Sequence, residues 1–215
     1  ATATLSSWSK VPANADGQVK AIAVSSDYIY GLGVDFKVYY LPLEGGTWLG
    51  IPDGNPNSAF DAFGISDFSI FGLGKGSGIV YKIPLAGGSW TQMGYGNADK
   101  RCSDITYSND YIYCVLKDKY EVWKRPDRGG QWTQVTKGSV THITVSDDYI
   151  YGLAFDNTPY KQLLTGGEWA KVPCTAGCGK VYDLAYKDGY IYGHAADKRV
   201  YKLPVPQGGS WTEVA

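Results

Sequence analysis

The chain lacks the features that would point to a nucleic acid or a membrane as its partner. Among its 215 residues, no apolar run approaches the roughly 20 residues that a membrane helix needs. Its 20 basic and 21 acidic residues are interspersed and leave a net charge of -1. A surface of this kind gives nucleic acid or an anionic membrane no electrostatic reason to bind. We therefore expect no nucleic-acid partner and no membrane insertion.

Motifs for catalysis are also missing. The sequence contains no Gly-rich phosphate loop before a helix, no nucleophile elbow and no Asp-rich calcium loop. Its two histidines, His142 and His194, occupy different positions of the repeat described below, so local packing or exposure is the favoured interpretation of both. We predict no enzyme, no catalytic residue, no cofactor and no metal site.

Cysteine is scarce, and its four copies fall into two close pairs. Cys102 and Cys114 flank a predicted hairpin that turns near residues 108–110, while Cys174 and Cys178 share one loop. Each pair is either a disulfide or two free thiols. A C-x3-C pair without matching histidines is a poor zinc site. No N-glycosylation sequon is present, and localisation stays open between the cytoplasm and secretion after removal of a signal peptide.

What the sequence has in abundance is one repeated phrase, Gly-Gly followed by a small or polar residue and then Trp. Its five copies end at Trp48, Trp90, Trp132, Trp169 and Trp211. The segment around Trp8 resembles a sixth copy of the Trp part alone. Every interval contains a segment such as VKAIAVSSDYIYG (19–31) and a later one such as IVYKIPL (79–85). Residues 1–215 are therefore predicted to be a single domain of five repeats, each of about 42 residues.

Each repeat offers four short stretches rich in β-branched and aromatic residues, separated by Ser, Asp or Gly, which is the pattern of a four-stranded antiparallel meander. The first strand is apolar on both faces, with Ala21 and Ala23 on one face and Ile22 and Val24 on the other. Such a sheet must be covered on both sides. Five sheets arranged radially cover one another, so we predict an all-β, five-bladed β-propeller of four-stranded antiparallel blades. A β-sandwich is the alternative, although it does not explain five near-identical units.

Two further expectations follow from the repeat. The Gly-Gly pair allows a tight reversal with positive φ between the third and fourth strands, and the Trp after it packs between neighbouring blades. The last blade needs one outer strand, and either the segment around Trp8 or the segment around Trp211 provides it. The other segment is then surplus, and it either adds a fifth strand or pairs with another chain, which makes a homo-oligomer possible.

Candidate binding residues come from two families of loops that the strand order places on one face. The first family connects one blade to the next, and the second joins the second strand of each blade to its third strand. Asn and Asp side chains can hydrogen-bond sugar hydroxyls, and aromatic rings can cover the C–H side of a sugar, although Asn and Asp also simply make turns. The candidate sugar-binding residues are Asn14, Asp16, Asp35, Phe36, Asn55, Asn57, Asn97, Asp99, Asp118, Tyr120, Phe155, Asp156 and Asp197.

The recurrent GGSWTQM, GGQWTQV and GGSWTEV segments, each followed by an apolar strand, a DYIYGL-like segment and a VYKLPV-like segment, resemble the tectonin repeat family. This family includes slime-mould and fungal tectonins and fish egg lectins and, more distantly, tachylectin. The resemblance covers essentially the whole chain. The loop after the Trp strand is longer here than in the family, and its Pro-Gly step is missing. The resemblance implies the recognition of microbial or cell-surface glycans, as in innate defence, but no sugar contact is transferred residue by residue.

The sequence therefore favours a multivalent lectin without catalysis, with up to five related sites that bind glycan-coated surfaces through avidity. The weakest site is expected where the loop is shortened at Lys137 and Gly138. The alternative is a protein–protein interaction scaffold, which would show one broad patch instead of repeated pockets. An enzyme with a single axial site is the third hypothesis.

Overall fold

The computed structural model describes residues 19–25, 27–51, 59–93, 101–176, 181–197 and 199–214. These residues form five antiparallel sheets of four strands, each ordered sequentially along the chain. The first strands of all five sheets line one central cavity, so the sheets stand around a common axis as the blades of a propeller. The predicted all-β, five-bladed architecture is confirmed.

The strand bounds repeat from blade to blade. Blade 1 consists of Val19–Val24, Tyr28–Gly33, Val38–Pro42 and Leu49–Gly50. Blade 2 consists of Phe60–Ile65, Ser69–Gly74, Val80–Pro84 and Thr91–Gln92. Blade 3 consists of Cys102–Ser108, Tyr111–Leu116, Val122–Pro126 and Thr133–Thr136. Blade 4 consists of His142–Val145, Tyr149–Leu153, Pro159–Leu163 and Ala170–Lys171. Blade 5 consists of Ala185–Lys187, Tyr190–His194, Val200–Pro204 and Thr212–Glu213.

The Gly-Gly pairs make the predicted reversal between the third and fourth strands. Both glycines of all five pairs have positive φ, between 86° and 153°. A side chain is strained in this left-handed region, which explains why the repeat always uses glycine there.

We call the interfaces between neighbouring blades seams 1/2 to 5/1. Trp90, Trp132, Trp169 and Trp211 pack in seams 1/2, 2/3, 3/4 and 4/5. Trp90 packs against Phe60 with ring centroids 4.6 Å apart, in a core cluster that joins blades 1 and 2. In seam 3/4 the Trp169 Nε1–H donates to Thr136 Oγ1 at 2.9 Å. Each of these tryptophans therefore joins its own blade to the preceding one, as the sequence predicted.

The C-terminal segment completes the ring. Thr212–Glu213 pairs with the third strand of blade 5, and Trp211 is buried in the core of seam 4/5. A short parallel pair, Cys174–Ala176 with Gly209–Ser210, links this segment to the connection that follows blade 4. The segment around Trp8, which the sequence left as the other possibility, lies outside the described residues.

Seam 5/1 is less closed than the sequence suggested. At one repeat position, which lies in the first strand or, in blade 5, directly before it, Phe63, Ile105, Ile143 and Leu184 are all at most 9% exposed. The equivalent Ile22 of blade 1 is 64% exposed. The expectation that the first strand is covered on both faces is therefore wrong for blade 1, because the face that carries Ile22 lies along this open seam.

Both cysteine pairs are oxidised where the structure describes them. Cys102 and Cys114 form a disulfide between the first two strands of blade 3, and both are buried in the core of seam 2/3. Cys174 is also disulfide-bonded, while Cys178 lies outside the described residues. Of the two possibilities that the sequence left open, the disulfide is the one observed.

Candidate ligand-binding site

The turn between the second and third strands has the same backbone in four blades. The residue two before the third strand lies in the left-handed region, with φ between 54° and 65°, in blades 1 to 4. These residues are Phe36, Gly78, Tyr120 and Asn157. The equivalent residue of blade 5 lies outside the described ones.

This left-handed residue joins its turn to the next blade. The carbonyl oxygens of Phe36, Gly78 and Tyr120 accept hydrogen bonds from the amides of Phe60, Cys102 and Val140, at 2.9, 2.8 and 3.4 Å. The turns therefore lie beside the starts of the first strands, on what we call the top face. Both loop families that the sequence assigned to one face meet there.

Two of the left-handed residues are aromatic, which is unusual. Phe36 and Tyr120 carry bulky side chains in a conformation that costs about 1–2 kcal/mol for a residue other than glycine. Blades 2 and 4 use Gly78 and Asn157 at the same place, which are the residue types that tolerate it best. Strained backbone of this kind concentrates at functional sites. The tops of seams 1/2 and 3/4 are therefore the leading candidates for a ligand-binding site.

At the top of seam 3/4, two predicted residues come together. The rings of Tyr120 and Phe155 meet edge to face, with centroids 4.6 Å apart. Phe155 is 62% exposed and Tyr120 is half-buried. The pair therefore presents the Phe155 ring to solvent, while the Tyr120 ring contacts it from one side. Asp118 and Asp156 stand exposed in the same two turns. The short loop at Lys137 and Gly138 predicted the weakest site, or none, at this seam, and that stays a prediction. The exposed aromatic pair is the feature that argues for a site here.

At the top of seam 1/2, Phe36 is held between cations. The ammonium groups of Lys20 and Lys75 lie 3.3 and 3.2 Å from the centroid of its ring. Cation–π contacts of this kind occupy the ring face that a sugar would otherwise cover. This seam therefore presents positive charge beside an aromatic ring, in contrast to the open ring of Phe155.

Three of the predicted aspartates accept hydrogen bonds within their own turns. Asp35 and Asp197 each accept a hydrogen bond from a tyrosine hydroxyl four residues later, at 2.6 Å in both cases. Asp156 accepts from the Thr158 amide at 2.9 Å. Hydrogen bonds from the Thr158 amide and hydroxyl lower the pKa of Asp156, and those from the Tyr201 hydroxyl and Arg199 amide lower the pKa of Asp197. Each carboxylate keeps accepting capacity beyond its turn.

The top of seam 2/3 leaves no room for a side chain. A Cβ atom added at Gly78 would meet Arg101 Cβ at 2.7 Å and the Cys102 carbonyl oxygen at 2.8 Å. The seams therefore share their backbone but differ in their lining. The remaining predicted residues, Asn14, Asp16, Asn55, Asn57, Asn97 and Asp99, lie outside the described residues.

The sequence missed a polar group on the propeller axis. Asp104, His142 and Asp183 occupy one repeat position in blades 3, 4 and 5, within the first strand or, for Asp183, just before it, and all three line the axial cavity. Burial, and secondarily the nearby Asp183 carboxylate, raises the pKa of Asp104 to about 7. Blades 1 and 2 have Ala21 and Ala62 at this position, so the departure from alanine within the repeat was the available signal.

Comparison with known proteins supports the architecture. No family model matches the chain, and no curated protein matches it. Among solved structures, the chain is similar to a computationally designed protein named Ika8, with a TM-score of 0.60 and 15% identity over 93% of this chain. It spans 61% of the length of that designed chain. A chain of a nidogen/laminin complex is similar with a TM-score of 0.68 and 9% identity, over 83% of this chain and 72% of the other. At these identities the likeness concerns the fold alone.

In the part of the chain that the structure describes, no helix is long and apolar enough to cross a membrane.

Proposed function

We propose that this protein is a carbohydrate-binding protein that recognises cell-surface or microbial glycans, with its leading site at the top of seam 3/4. The exposed ring of Phe155, fixed edge to face by Tyr120, is the observation that carries the proposal. A sugar stacks its C–H face on such a ring, while its hydroxyls hydrogen-bond to nearby carboxylates such as Asp118 and Asp156. Loops on a rigid scaffold are the usual place for a site of this kind.

The repeat supports more than one site for each chain, but not five equal ones. An aromatic ring stands at the top of seams 1/2 and 3/4, where the residues are Phe36 and Tyr120, and blades 2 and 4 have Gly78 and Asn157 at this position. We therefore propose two sites of different kinds in the described seams: the open ring of Phe155 at seam 3/4, and the Lys20 and Lys75 ammonium groups over the Phe36 ring at seam 1/2. Weak sites that act together still bind a glycan-coated surface tightly, because later contacts become effectively intramolecular.

We propose a binding protein and not an enzyme. The disulfide between Cys102 and Cys114 supports a secreted protein, because such bonds persist in oxidising compartments.

A glycan array followed by titration of the best sugar tests the proposal. Replacing Phe155 by Ala should weaken binding by about tenfold, the value of one aromatic stacking contact. Phe68→Ala is the matched control, because Phe68 is 54% exposed in the hairpin turn between the first two strands of blade 2 and is not part of the site. Absence of any glycan binding, or an equal loss in the Phe68 variant, would contradict the proposal.

A protein-interaction scaffold is the second candidate, and the open seam 5/1 favours it. Ile22 and Val200 are 64% and 40% exposed on the two sides of this seam, and an apolar patch at the edge of a fold is a typical protein contact. One of the similar solved structures is itself a complex of two proteins, nidogen and laminin. A negative glycan array, together with loss of a protein partner in an Ile22→Ser, Val200→Ser variant, would favour the scaffold over the lectin.

A further inference from the structure

A second cleft of seam 3/4 lies on its outer side, apart from the aromatic pair at its top. It has a volume of about 320 Å³ between the fourth strand of blade 3 and the third strand and Gly-Gly turn of blade 4, and we call it the outer cleft. Neither ring of the aromatic pair lines it. Its volume falls at the lower end of the roughly 300–1,000 Å³ that small-molecule sites occupy, which suits a ligand of one ring.

Gln162 lines the outer cleft with a buried amide that has a partner at one end alone. The residue is 3% exposed. Its Nε2 donates a hydrogen bond to the Gly167 carbonyl at 2.8 Å, while no donor among the described residues reaches its Oε1. Because a carbonyl only accepts, the bond to Gly167 also fixes which end of the amide is the nitrogen. Protein interiors rarely leave a buried acceptor unpaired, so this oxygen needs a donor from outside the described chain.

The other repeats show that the fold does not require a polar residue at this place. The second-to-last residue of the third strand is Leu41, Ile83 and Leu203 in blades 1, 2 and 5, and each is at most 2% exposed. Blade 3 has Arg125 there, and blade 4 has Gln162. A buried polar group that breaks the pattern of its own repeat is expected at a functional site.

The equivalent cleft of seam 1/2 has nearly the same size but a different lining. Its volume is about 310 Å³, and Ile83 takes the place of Gln162. Ile51 and Ile70 line it as well, together with tyrosine rings. The fold therefore forms a cleft at both seams, and the buried amide distinguishes the cleft of seam 3/4.

The remaining side chains of the outer cleft are polar but balanced in charge. Lys137 and Glu168 are exposed at its rim with opposite charges, and Gln134 adds an exposed amide. Trp169 is half-buried, and its Nε1–H is already bonded to Thr136 Oγ1, so what it offers a ligand is its ring. The lining therefore combines donors, acceptors and an aromatic surface without favouring an ion of either sign.

We propose that the outer cleft binds one neutral sugar residue, which donates a hydroxyl hydrogen bond to Gln162 Oε1 and places its C–H side against Trp169. A hydroxyl both donates and accepts, so the other hydroxyls match the groups of Gln134, Lys137 and Glu168. An ionic ligand would be attracted by one charge of the rim and repelled by the other. This site is additional to the two on the top face, and its argument does not depend on the aromatic pair.

NMR titration of the full chain carrying Phe155→Ala tests the outer cleft without a contribution from the ring at the top of the seam. D-glucose, D-galactose and D-mannose are added separately. At least one of them should shift the side-chain amide signals of Gln162 and the indole N–H signal of Trp169 in a saturable way. 1,4-Dioxane is a six-membered ring with two acceptors and no O–H donor, and it should leave both signals unshifted.

Gln162→Leu gives blade 4 the residue type that blades 1 and 5 have at this position. It should weaken the bound hexose at least about tenfold, because the acceptor for its hydroxyl is lost. The melting temperature should not fall, since the unpaired acceptor is removed with it. Gln92→Leu makes the same change at an exposed position in the fourth strand of blade 2 and should leave the affinity unchanged.

A second variant leaves the core of the blade untouched. Glu168→Ala removes an exposed carboxylate from the rim and should weaken the same hexose about threefold. The proposal is overturned by an absence of shifts with all three hexoses, by an equal response to dioxane, by an equal loss in Gln92→Leu, or by unchanged affinity in folded Gln162→Leu. With Phe155 intact, Gln162→Leu should keep glycan binding at the top of the seam, so this inference and the lectin proposal fail separately.

Discussion

Seams 2/3 and 5/1 join the same kind of blades but are closed to very different degrees. In seam 2/3, the Lys82 ammonium bonds to the carboxylate and carbonyl of Asp127, and the Ser66 hydroxyl donates to the same carboxylate at 2.9 Å. In seam 5/1, Ile22 and Val200 remain 64% and 40% exposed. The repeat therefore gives every blade the same shape. The individual side chains at each seam decide how completely that seam excludes solvent.

The largest expected effect comes from breaking the buried ion pair of seam 2/3. Asp127 is 3% exposed, so Asp127→Ala leaves the Lys82 ammonium and the Ser66 hydroxyl without this partner. Removal of one member of a buried pair costs about 3–5 kcal/mol. We expect unfolding by denaturant to show a loss of this size. The double variant Lys82→Met, Asp127→Leu should recover most of it, and failure to recover would mean that the charge pair itself stabilises the seam.

Matched isoleucine substitutions test directly whether seam 5/1 is open. Ile105→Ala should cost about 3 kcal/mol, because it leaves a cavity in the core of seam 2/3. Ile22→Ala, at the same repeat position of blade 1, should cost less than about 1 kcal/mol because its side chain already contacts water. Thermal and denaturant unfolding measure both. Equal losses in the two variants would show that seam 5/1 is closed in solution.

The half-buried Asp104 carboxylate provides the contrast to Asp127, because no lysine or arginine of the described residues forms an ion pair with it. Burial first, and the Asp183 charge second, raise the pKa of Asp104 from 3.8 to about 7. The unfolded chain releases this proton near pH 4 and the folded chain near pH 7, so the free energy of unfolding falls between these two values. His142 and His194 line the same cavity.

The Asp104→Asn variant isolates that contribution. Its melting temperature should exceed that of the parent by an amount that grows from pH 4.5 to pH 7 and then stays constant, reaching several degrees. Asp147→Asn should show no such growth, because Asp147 is exposed. A difference that shrinks as the pH rises would show that Asp104 is stabilised as a charged group.

A smaller gain in the free energy of unfolding is expected from a substitution at the top of seam 3/4. Tyr120→Asn keeps the backbone hydrogen bond to Val140 and relieves the strain of an aromatic residue at a φ of 54°. The free energy of unfolding should rise by about 1 kcal/mol, because Asn tolerates this conformation better. Asn157→Tyr, at the same position of blade 4, should lower it by a similar amount. Loss of glycan binding in the stabilised Tyr120 variant would show that the strain is kept for function.

The smallest effect concerns the exposed ion pair of blade 5. Arg199 Nη1 and Glu213 Oε2 lie 2.8 Å apart, with both side chains mostly in water. Solvent screens such pairs, so Arg199→Ala should shift the melting temperature by less than about 1 °C. Calorimetry at low and high salt measures the shift, and a shift as large as that of Asp127→Ala would contradict the expectation that solvent screens this pair.

The elements of the site could be predicted only in part. Phe155 and Tyr120 were found because aromatic residues in a predicted turn stand out, but no sequence pattern announces that their rings meet. Asp35, Asp156 and Asp197 were chosen as ligands of a sugar, and the structure shows that they also brace their own turns. The axial group of Asp104, His142 and Asp183 was missed because its members belong to three repeats that are far apart in sequence.

By itself, the sequence determined the five blades, the glycine reversal in each and the tryptophan between neighbours, because a repeated local pattern leads to the same local structure every time. Only the tertiary structure decided which seams are sealed, which turn tops expose a ring and which carboxylates face the axis. Those properties depend on distances between side chains of different repeats. A pattern within one repeat does not contain them.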